Sequence, residues 1–483
     1  MIFATLHLLM TVIQDGDLIF IVHDKRRQWV RKVQAKQQFH CDRGFLRYDD
    51  IIGKPFGETF LLQPNNHKVA LLNPLPGDII SHMKRQSQII YPEDIGLILT
   101  SSGIHLGSKV IEAGTGSGTV SSVLGMFCGK TGKVNTFDIR EIALDQARKN
   151  IAQMGADGVV SAQFGNIIED NFEFSNIDFA MLDLATTWLA VPKVLPYLSD
   201  NARICLFSPT LEQVKKNNQV LGEYNFNNII TIEMMKRTFQ VKPNATRPHG
   251  RMIGHTGYLT FANRDTNSLY SSAFSEYITP ENLGNLFVYG GIVPGIKLLV
   301  VSSEKSSLVE LIKYYFKEGV EFIKIPKTYP PNEVSTFIKS ACKVFSTNSF
   351  NSILIDNLSL PDLVSVLHPL LLPGGAMCAL SAYVENMKMI FDQLMELKYF
   401  ELTSSELIKR QILVENDGSS THSSLLPSTG YITVGRKVID KHPYKAKPVP
   451  KNEFVDIAVE VGLNLKETLP EEKEKVDYAN LRE

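Results

Sequence analysis

The sequence predicts an α/β protein: a small N-terminal β domain followed by two tandem doubly wound domains, the second with a degenerate ligand loop. Three observations predict it. Beyond residue 80, apolar runs of strand length alternate with helix-like stretches of about 10–15 residues. The run "ENLGNLFVYGGIVPGIKLLVV" lines up without gaps on "EDIGLILTSSGIHLGSKVIEA" at an offset of 188, so the chain repeats itself. The stretch "EAGTGSG" follows a strand and opens a helix in the first copy, whereas the second copy has no glycine at that place.

The elements justify this reading in order. Residues 1–80 are expected to form a small β-barrel-like domain, because "LIFIVHD", "FLRYDD" and "ETFLLQP" are short strand-like runs between Gly, Asp, Asn and Pro turns, and "PLPGD" marks the end. The first doubly wound domain spans 81–265. "YPEDIGLILTSSGI" reads as a helix with Pro92 in its first turn, "KVIEAG" as a buried strand and "VSSVLGMF" as a helix. "KVNTFDI" is the next strand and "EIALDQARKNIAQMG" a helix stopped by Gly155, followed by strands "IDFAMLDL" and "NARICLFSP". A polar linker, 266–275, separates this copy from the second, 276–438. The match includes turn glycines (Gly96 with Gly284, Gly103 with Gly291, Gly107 with Gly295) and the closing segments "MMKRTFQV…GHTGYLTFANR" and "LIKRQILV…PSTGYITVGRK". Residues 439–483 are a proline- and charge-rich tail.

Bulk properties narrow the function. Hydrophobic residues make up 44% and charged residues 21% of 483, a globular balance. The net charge of −1 leaves any nucleic-acid partner to local basic patches. Five scattered cysteines, with no CxxC or Cys/His cluster, indicate neither a zinc site nor a disulfide framework; no metal is expected. No apolar run reaches the roughly 18–20 residues that cross a membrane, and "MIFATLHLLM", lacking a positive n-region, reads as an edge strand or extension.

In "EAGTGSG", Glu112 to Gly118, the glycines Gly114, Gly116 and Gly118 remove Cβ atoms from the turn, so a ligand can lie against backbone N–H groups at the helix start. Asp138 ends the next strand, where a carboxylate accepts the ribose hydroxyls of an adenosine-containing cofactor. The dinucleotide pattern would require glycine at 119, which is Thr119. The loop is GxGxG, which resembles the form usual in S-adenosylmethionine-dependent methyltransferases. In the second copy the glycines become Ser302, Glu304 and Ser306, so only the first copy is expected to hold the cofactor.

The first 265 residues resemble the tRNA (adenine-58-N1)-methyltransferases, of the archaeal type and of the eukaryotic catalytic subunit. The stretches that carry this are "IQDGD", "FHCDRG", "DDIIGKPFGE", "QIIYPEDIGLIL", "VIEAGTGSGTVSSVL", "FDIRE", "MLDLATTW", "FSPTLEQV" and "RPHGRMIGHTGYLTFANR". Residues 276–438 resemble the noncatalytic partner subunit. The resemblance implies two tandem Rossmann-like methyltransferase domains in one chain, the second with a degenerate cofactor site, S-adenosylmethionine as cofactor, tRNA as partner, and a dimer of fused chains resembling a tetramer. It implies the cytoplasm in an archaeal host and leaves the nucleus open in a eukaryotic one.

Site residues follow by position. The resemblance makes Asp183 the catalytic carboxylate, also beside the cofactor, with Thr115 and Ser117 in the loop. It puts Gln88 at the methionine end of the cofactor and Asn166 opposite the adenine amino group, where the family has aspartate. Trp188 is either a wall of the adenine pocket or core. His255 reaches the substrate or holds its hairpin, and Arg247 and Arg251 contact phosphate or simply face water. Lys25, Arg26, Arg27 and Arg31 form the densest basic stretch, suited to RNA phosphates or to an ordinary solvated strand. Two rivals remain at this stage: a methyltransferase of the same fold acting on another RNA, a protein or a small molecule, and a nonenzymatic RNA-binding scaffold.

Overall fold

The computed structural model describes residues 12–86, 88–242, 244–264, 277–326, 329–330, 333–415, 418–421 and 430–442. The stretch "MIFATLHLLM", the linker 266–275 and the tail beyond residue 442 lie outside the described residues.

The N-terminal part has strands β1 (Leu18–Asp24), β2 (Arg27–Lys32), β3 (Gln38–Cys41), β4 (Gly44–Arg47), β5 (Glu58–Leu62) and β6 (His67–Leu72). Alternate residues of β1 enter two cores. Ile19 and Ile21 join Phe39, Leu46 and Leu62 in the domain's own cluster, while Leu18, Phe20 and Val22 face Ile79 and Ile80. Among the described residues the strands of this small β domain make a four-stranded sheet, β2-β1-β6-β5, and a β3-β4 hairpin joined to it by a Phe45–Gln63 bridge. "PLPGD" follows the last of these strands and opens helix α1 (Pro76–His82), with the Asp78 carboxylate accepting the Leu75 N–H at 2.8 Å. The first residues of the predicted tail belong to this part as well. Ile439 bridges to Glu58, and the Asp440 carboxylate accepts from Lys68 at 2.8 Å.

The leading doubly wound module contains α2 (Pro92–Ser101), β7 (Lys109–Ala113), α3 (Thr119–Cys128), β8 (Lys133–Asp138), α4 (Glu141–Gln153), β9 (Val160–Phe164), β10 (Ile177–Leu182), α5 (Thr187–Val194), β11 (Leu198–Ser208), α6 (Leu211–Glu223), β12 (Asn227–Gln240), the short β13 (Arg247–Pro248) and β14 (Tyr258–Asn263). The sheet order is β9-β8-β7-β10-β11-β14-β12, with every strand running the same way except β14, which is antiparallel to both of its neighbours, β11 and β12. The chain runs outward from β7 to β9 and returns to β10 on the other side of β7. That reversal opens a crevice at the carboxyl ends of β7 and β10, where such sheets bind ligands.

The trailing module contains α7 (Pro280–Tyr289), β15 (Leu298–Ser303), α8 (Leu308–Tyr315), β16 (Val320–Ile325), α9 (Val334–Cys342), β17 (Phe350–Asp356), α10 (Leu363–Leu367), β18 (Leu371–Ser381), α11 (Val384–Glu396), β19 (Phe400–Glu415), β20 (Gly418–Thr421) and β21 (Tyr431–Arg436). Its order, β16-β15-β17-β18-β21-β19, repeats the leading one without the outermost strand. Antiparallel pairing of β12 with β19 fuses both modules into one sheet, of 15 strands among the described residues. Helix α2 is buried on nearly every side because its second face packs on α7, its counterpart. Among the described residues, no helix is long and apolar enough to cross a membrane.

Candidate active site

A cavity of about 520 Å³ opens at the β7/β10 crevice. Its floor is the loop after β7, and its walls come from the segment before α2 (Gln88, Tyr91), the turn after β10 (Asp183, Leu184, Ala185), Phe207 at the end of β11 and Pro209 just beyond it, Gln213 of α6, and His255 and Thr256 before β14.

The loop is held from behind. The Gly116 N–H donates to Asp138 Oδ2 at 2.9 Å, the Thr115 and Thr136 hydroxyls meet at 2.6 Å, and buried Asn150 donates to the Ser117 carbonyl at 2.8 Å. The glycines serve this packing as much as any ligand. A Cβ on Gly114, at φ +95°, would lie 2.0 Å from the Asp183 carbonyl oxygen, and one on Gly118 would press on Ala147 and Ile151 of α4. Gly114 and Gly116 line the cavity, and Gly118 caps α3 outside the lining.

Three carboxylates gather here. Glu112 is buried, its Oε2 has no hydrogen-bond partner among the described residues, and burial pushes it up to about 8. Asp183 lines the cavity; burial raises it to about 6, against the pull of Arg140. Asp138 sits behind the lining. Burial opposes its ionisation, but the Arg140 guanidinium and the Gly116 and Arg140 N–H groups outweigh that and hold it below its usual range. Arg140 covers both Asp138 oxygens, at 3.1 Å each, and itself faces the cavity.

Gln88, Glu112, Gly114, Thr115, Gly116, Ser117, Asp183 and His255 therefore meet at one cavity. The other predicted residues do not line it. Asn166 turns its carbonyl back to the Ile168 N–H at 3.0 Å, because a short Asx turn satisfies it locally. Trp188 lies on α5, outside the cavity lining, with the Lys216 ammonium 4.4 Å from its ring centroid. Arg247 and Arg251 are exposed outside the cavity. Lys25, Arg26 and Arg31 are exposed on the β1–β2 hairpin, while Arg27 is paired with Asp24 at 3.1 Å and Asp42 at 3.6 Å. Sequence reasoning missed Tyr91, Arg140, Phe207, Gln213 and Thr256. Gln213 had a local signal, since "TLEQ" is a capping box at the start of α6.

The trailing copy closes the same place. The Ser306 hydroxyl donates to Asp356, the counterpart of Asp183, and the Tyr277 hydroxyl also bonds to that carboxylate.

S-adenosylmethionine fits the leading cradle. Its cationic sulfonium and ammonium groups suit a cavity bordered by Asp183 and by Glu112 with its unpartnered oxygen. Fold and site together define an S-adenosylmethionine-dependent methyltransferase. Residues 68–247 match the family model described as the tRNA methyltransferase complex GCD14 subunit, and residues 12–59 match a TrmI-like N-terminal model. The tRNA (adenine(57)-N(1)/adenine(58)-N(1))-methyltransferase TrmI of Methanocaldococcus jannaschii is 36% identical over 268 residues, which cover 50% of this chain and 93% of that protein. The chain belongs to this tRNA (adenine-N1)-methyltransferase family. The tRNA (adenine(58)-N(1))-methyltransferase catalytic subunit TRM61 of Cryptococcus neoformans is 30% identical over 241 residues, 48% of this chain and 55% of that protein. The crystal structure of tRNA (m1A58) methyltransferase TrmI from Aquifex aeolicus is 26% identical with a TM-score of 0.45, covering 53% of this chain and 100% of that one.

Proposed function

We propose that the protein methylates N1 of adenosine-58 in the tRNA T-loop. The observation that carries this is Asp183, a half-buried carboxylate lining the crevice, held to the cradle by its own N–H donating to the Ala113 carbonyl at 2.9 Å. Bound S-adenosylmethionine supplies an electrophilic methyl group. Adenine N1 already carries a lone pair, so no base is needed to create the nucleophile. As N1 attacks, positive charge spreads onto the N1–C6–N6 amidine. Asp183, ionised above about pH 6, accepts a hydrogen bond from the N6 amino group that strengthens as this charge grows, favouring the transition state over the bound substrate. The walls hold the base in line, which supplies much of the remaining rate. Exposing a stacked T-loop base costs a few kcal/mol, roughly, and the exposed Lys25, Arg26 and Arg31 suit the RNA phosphates that repay it.

In this reading the trailing module is a noncatalytic partner fused in the same chain, and two chains assemble into a four-module particle, a reading that rests on the resemblance; light scattering tests it. Modification at 57 in addition to 58 is a finer question for the same assay. The central test is mass mapping of methylated nucleosides in an unmodified tRNA transcript. Wild type is expected to yield 1-methyladenosine at 58, and Asp183→Ala to lose it. Methylation elsewhere, or of a protein but not tRNA, overturns the reading; cofactor binding without any transfer favours a scaffold.

A further inference from the structure

We propose that Arg410, a residue of the trailing module, is a positioning residue for the leading module's cavity, acting through Glu233 on His255. Glu233 on β12 is buried and divides its two oxygens between two partners. Oε1 accepts from His255 Nδ1 at 2.8 Å, and Oε2 accepts from Arg410 at 3.2 Å. Arg410 is the β19 residue directly across the ladder from Glu233, so the contact is fixed by sheet register rather than by a loop. At the other end His255 lines the cavity, and its Nε2 stands 3.2 Å from the carbonyl of Pro209, another lining residue.

The relay has physical force because Glu233 is short of water. A buried carboxylate that loses one charged partner is left undercompensated, and it reorients or recruits solvent. The imidazole anchored to its other oxygen then loses its fixed orientation at the cavity wall. Misplacement of this kind, even when caused at a distance, is costly to a reaction that depends on alignment.

The repeat supplies its own control. Arg237 and Glu406 form the corresponding ion pair on the other side of the same ladder. There the sequence has Ser428 where the leading copy has His255, and that pair faces the module whose cradle is closed. Both pairs tie the modules together, but among the described residues only Arg410–Glu233 ends on a cavity side chain.

The test compares Arg410→Gln with Arg237→Gln in the full-length chain. The catalytic arm rests on the function proposed above; the spectroscopic arm does not. Nitrogen-15 resonances of the His255 ring, assigned with His255→Asn, are expected to shift in Arg410→Gln and to stay put in Arg237→Gln. Turnover on tRNA is expected to fall about tenfold in Arg410→Gln at unchanged S-adenosylmethionine affinity. Arg410→Lys should recover most of it, and Arg410→Gln should add nothing to His255→Asn. Equal behaviour of the two arginine variants, or a His255 ring indifferent to Arg410, overturns the relay. Should Arg410→Gln not fold, Arg410→Lys carries the ring comparison. If wild type fails to methylate tRNA, the functional reading falls while the ring resonances still decide the relay.

Discussion

Met235 on β12 pairs with Ile408 on β19, and each is the other's equivalent in the repeat. A residue that pairs with its own counterpart lies on a twofold axis, so the two modules meet as the subunits of a symmetric dimer do. The ion pairs Glu233–Arg410 and Arg237–Glu406 are exchanged by the same axis. So are Gly96 and Gly284, where α2 and α7 cross with no side chain between them.

Gly284→Ala should therefore be strongly destabilising. Its Cβ would sit 1.9 Å from the Gly96 carbonyl oxygen, backbone that cannot yield unless the helices part. Overpacking of this kind costs about 1–3 kcal/mol or more. Gly222→Ala, in α6 with nothing within 4 Å of the new methyl, should be neutral or slightly stabilising. Thermal melts of the two variants check this; similar melting temperatures would remove the glycine contact from any role in joining the modules.

How far the sequence was legible follows from such contacts. The strand–helix alternation and the repeat are local or self-referential signals, and Gly114, Asp138 and Asp183 sit at fixed offsets from strand ends. The β-domain architecture was harder to read, since short alternating runs do not say whether a sheet closes. Arg140 escaped notice because its importance lies in covering Asp138, a side-chain choice made only in the fold. Tyr91, Phe207 and Thr256 come from separate segments that converge at the crevice, and no spacing rule links them.

Gly114→Ala should abolish cofactor binding. Both its left-handed φ of +95° and the 2.0 Å approach to the Asp183 carbonyl forbid a methyl group, so the strand ends that carry Glu112 and Asp183 must separate. A loss of at least about 100-fold in S-adenosylmethionine affinity is expected by calorimetry, since the new methyl disturbs two cavity carboxylates at once. Affinity within a factor of about ten of wild type would show that the loop tolerates the change.

Asp94→Asn should flatten the pH dependence of stability. Asp94 is fully buried in α2; neither oxygen makes a hydrogen bond of normal geometry, although the Thr256 hydroxyl stands close enough to oppose the shift, and burial pushes it up to about 8. The raised value means that between pH 4 and 8, approximately, the folded state keeps a proton the unfolded chain has lost. Stability is thus fully present at low pH and is lost as pH rises, at up to about 1.4 kcal/mol per unit. The repeat places Asn282 at this position in the trailing copy, a neutral amide of the same shape, with its Nδ2 donating to the Tyr277 carbonyl at 3.0 Å. The stability advantage of Asp94→Asn over wild type should grow from pH 5 to 8 and level off above. Denaturant unfolding at a series of pH values measures it, and a difference that stays constant would mean Asp94 does not titrate in this window.

Cofactor binding should release protons through Glu112. Burial holds the free carboxyl near 8, so at pH 7 it is mostly protonated, and the Asp183 and Asp138 charges nearby push in the same direction. A cation seated beside it favours the ionised form and lowers its value. Binding at pH 7 must then expel part of a proton from Glu112, and the affinity must rise with pH between 6 and 8, by no more than about tenfold per unit for one group. Asp183, near 6, adds to the release mainly at the lower end of that range. Titration calorimetry in buffers of different ionisation enthalpy counts the protons directly, and the cofactor's own amino group is cancelled by comparison with Glu112→Gln. Wild type should release more than Glu112→Gln at pH 7, and the two should converge above pH 9. Equal proton counts at pH 7 would mean that binding leaves the protonation of Glu112 unchanged, and the carboxylate would not be created by the cationic ligand.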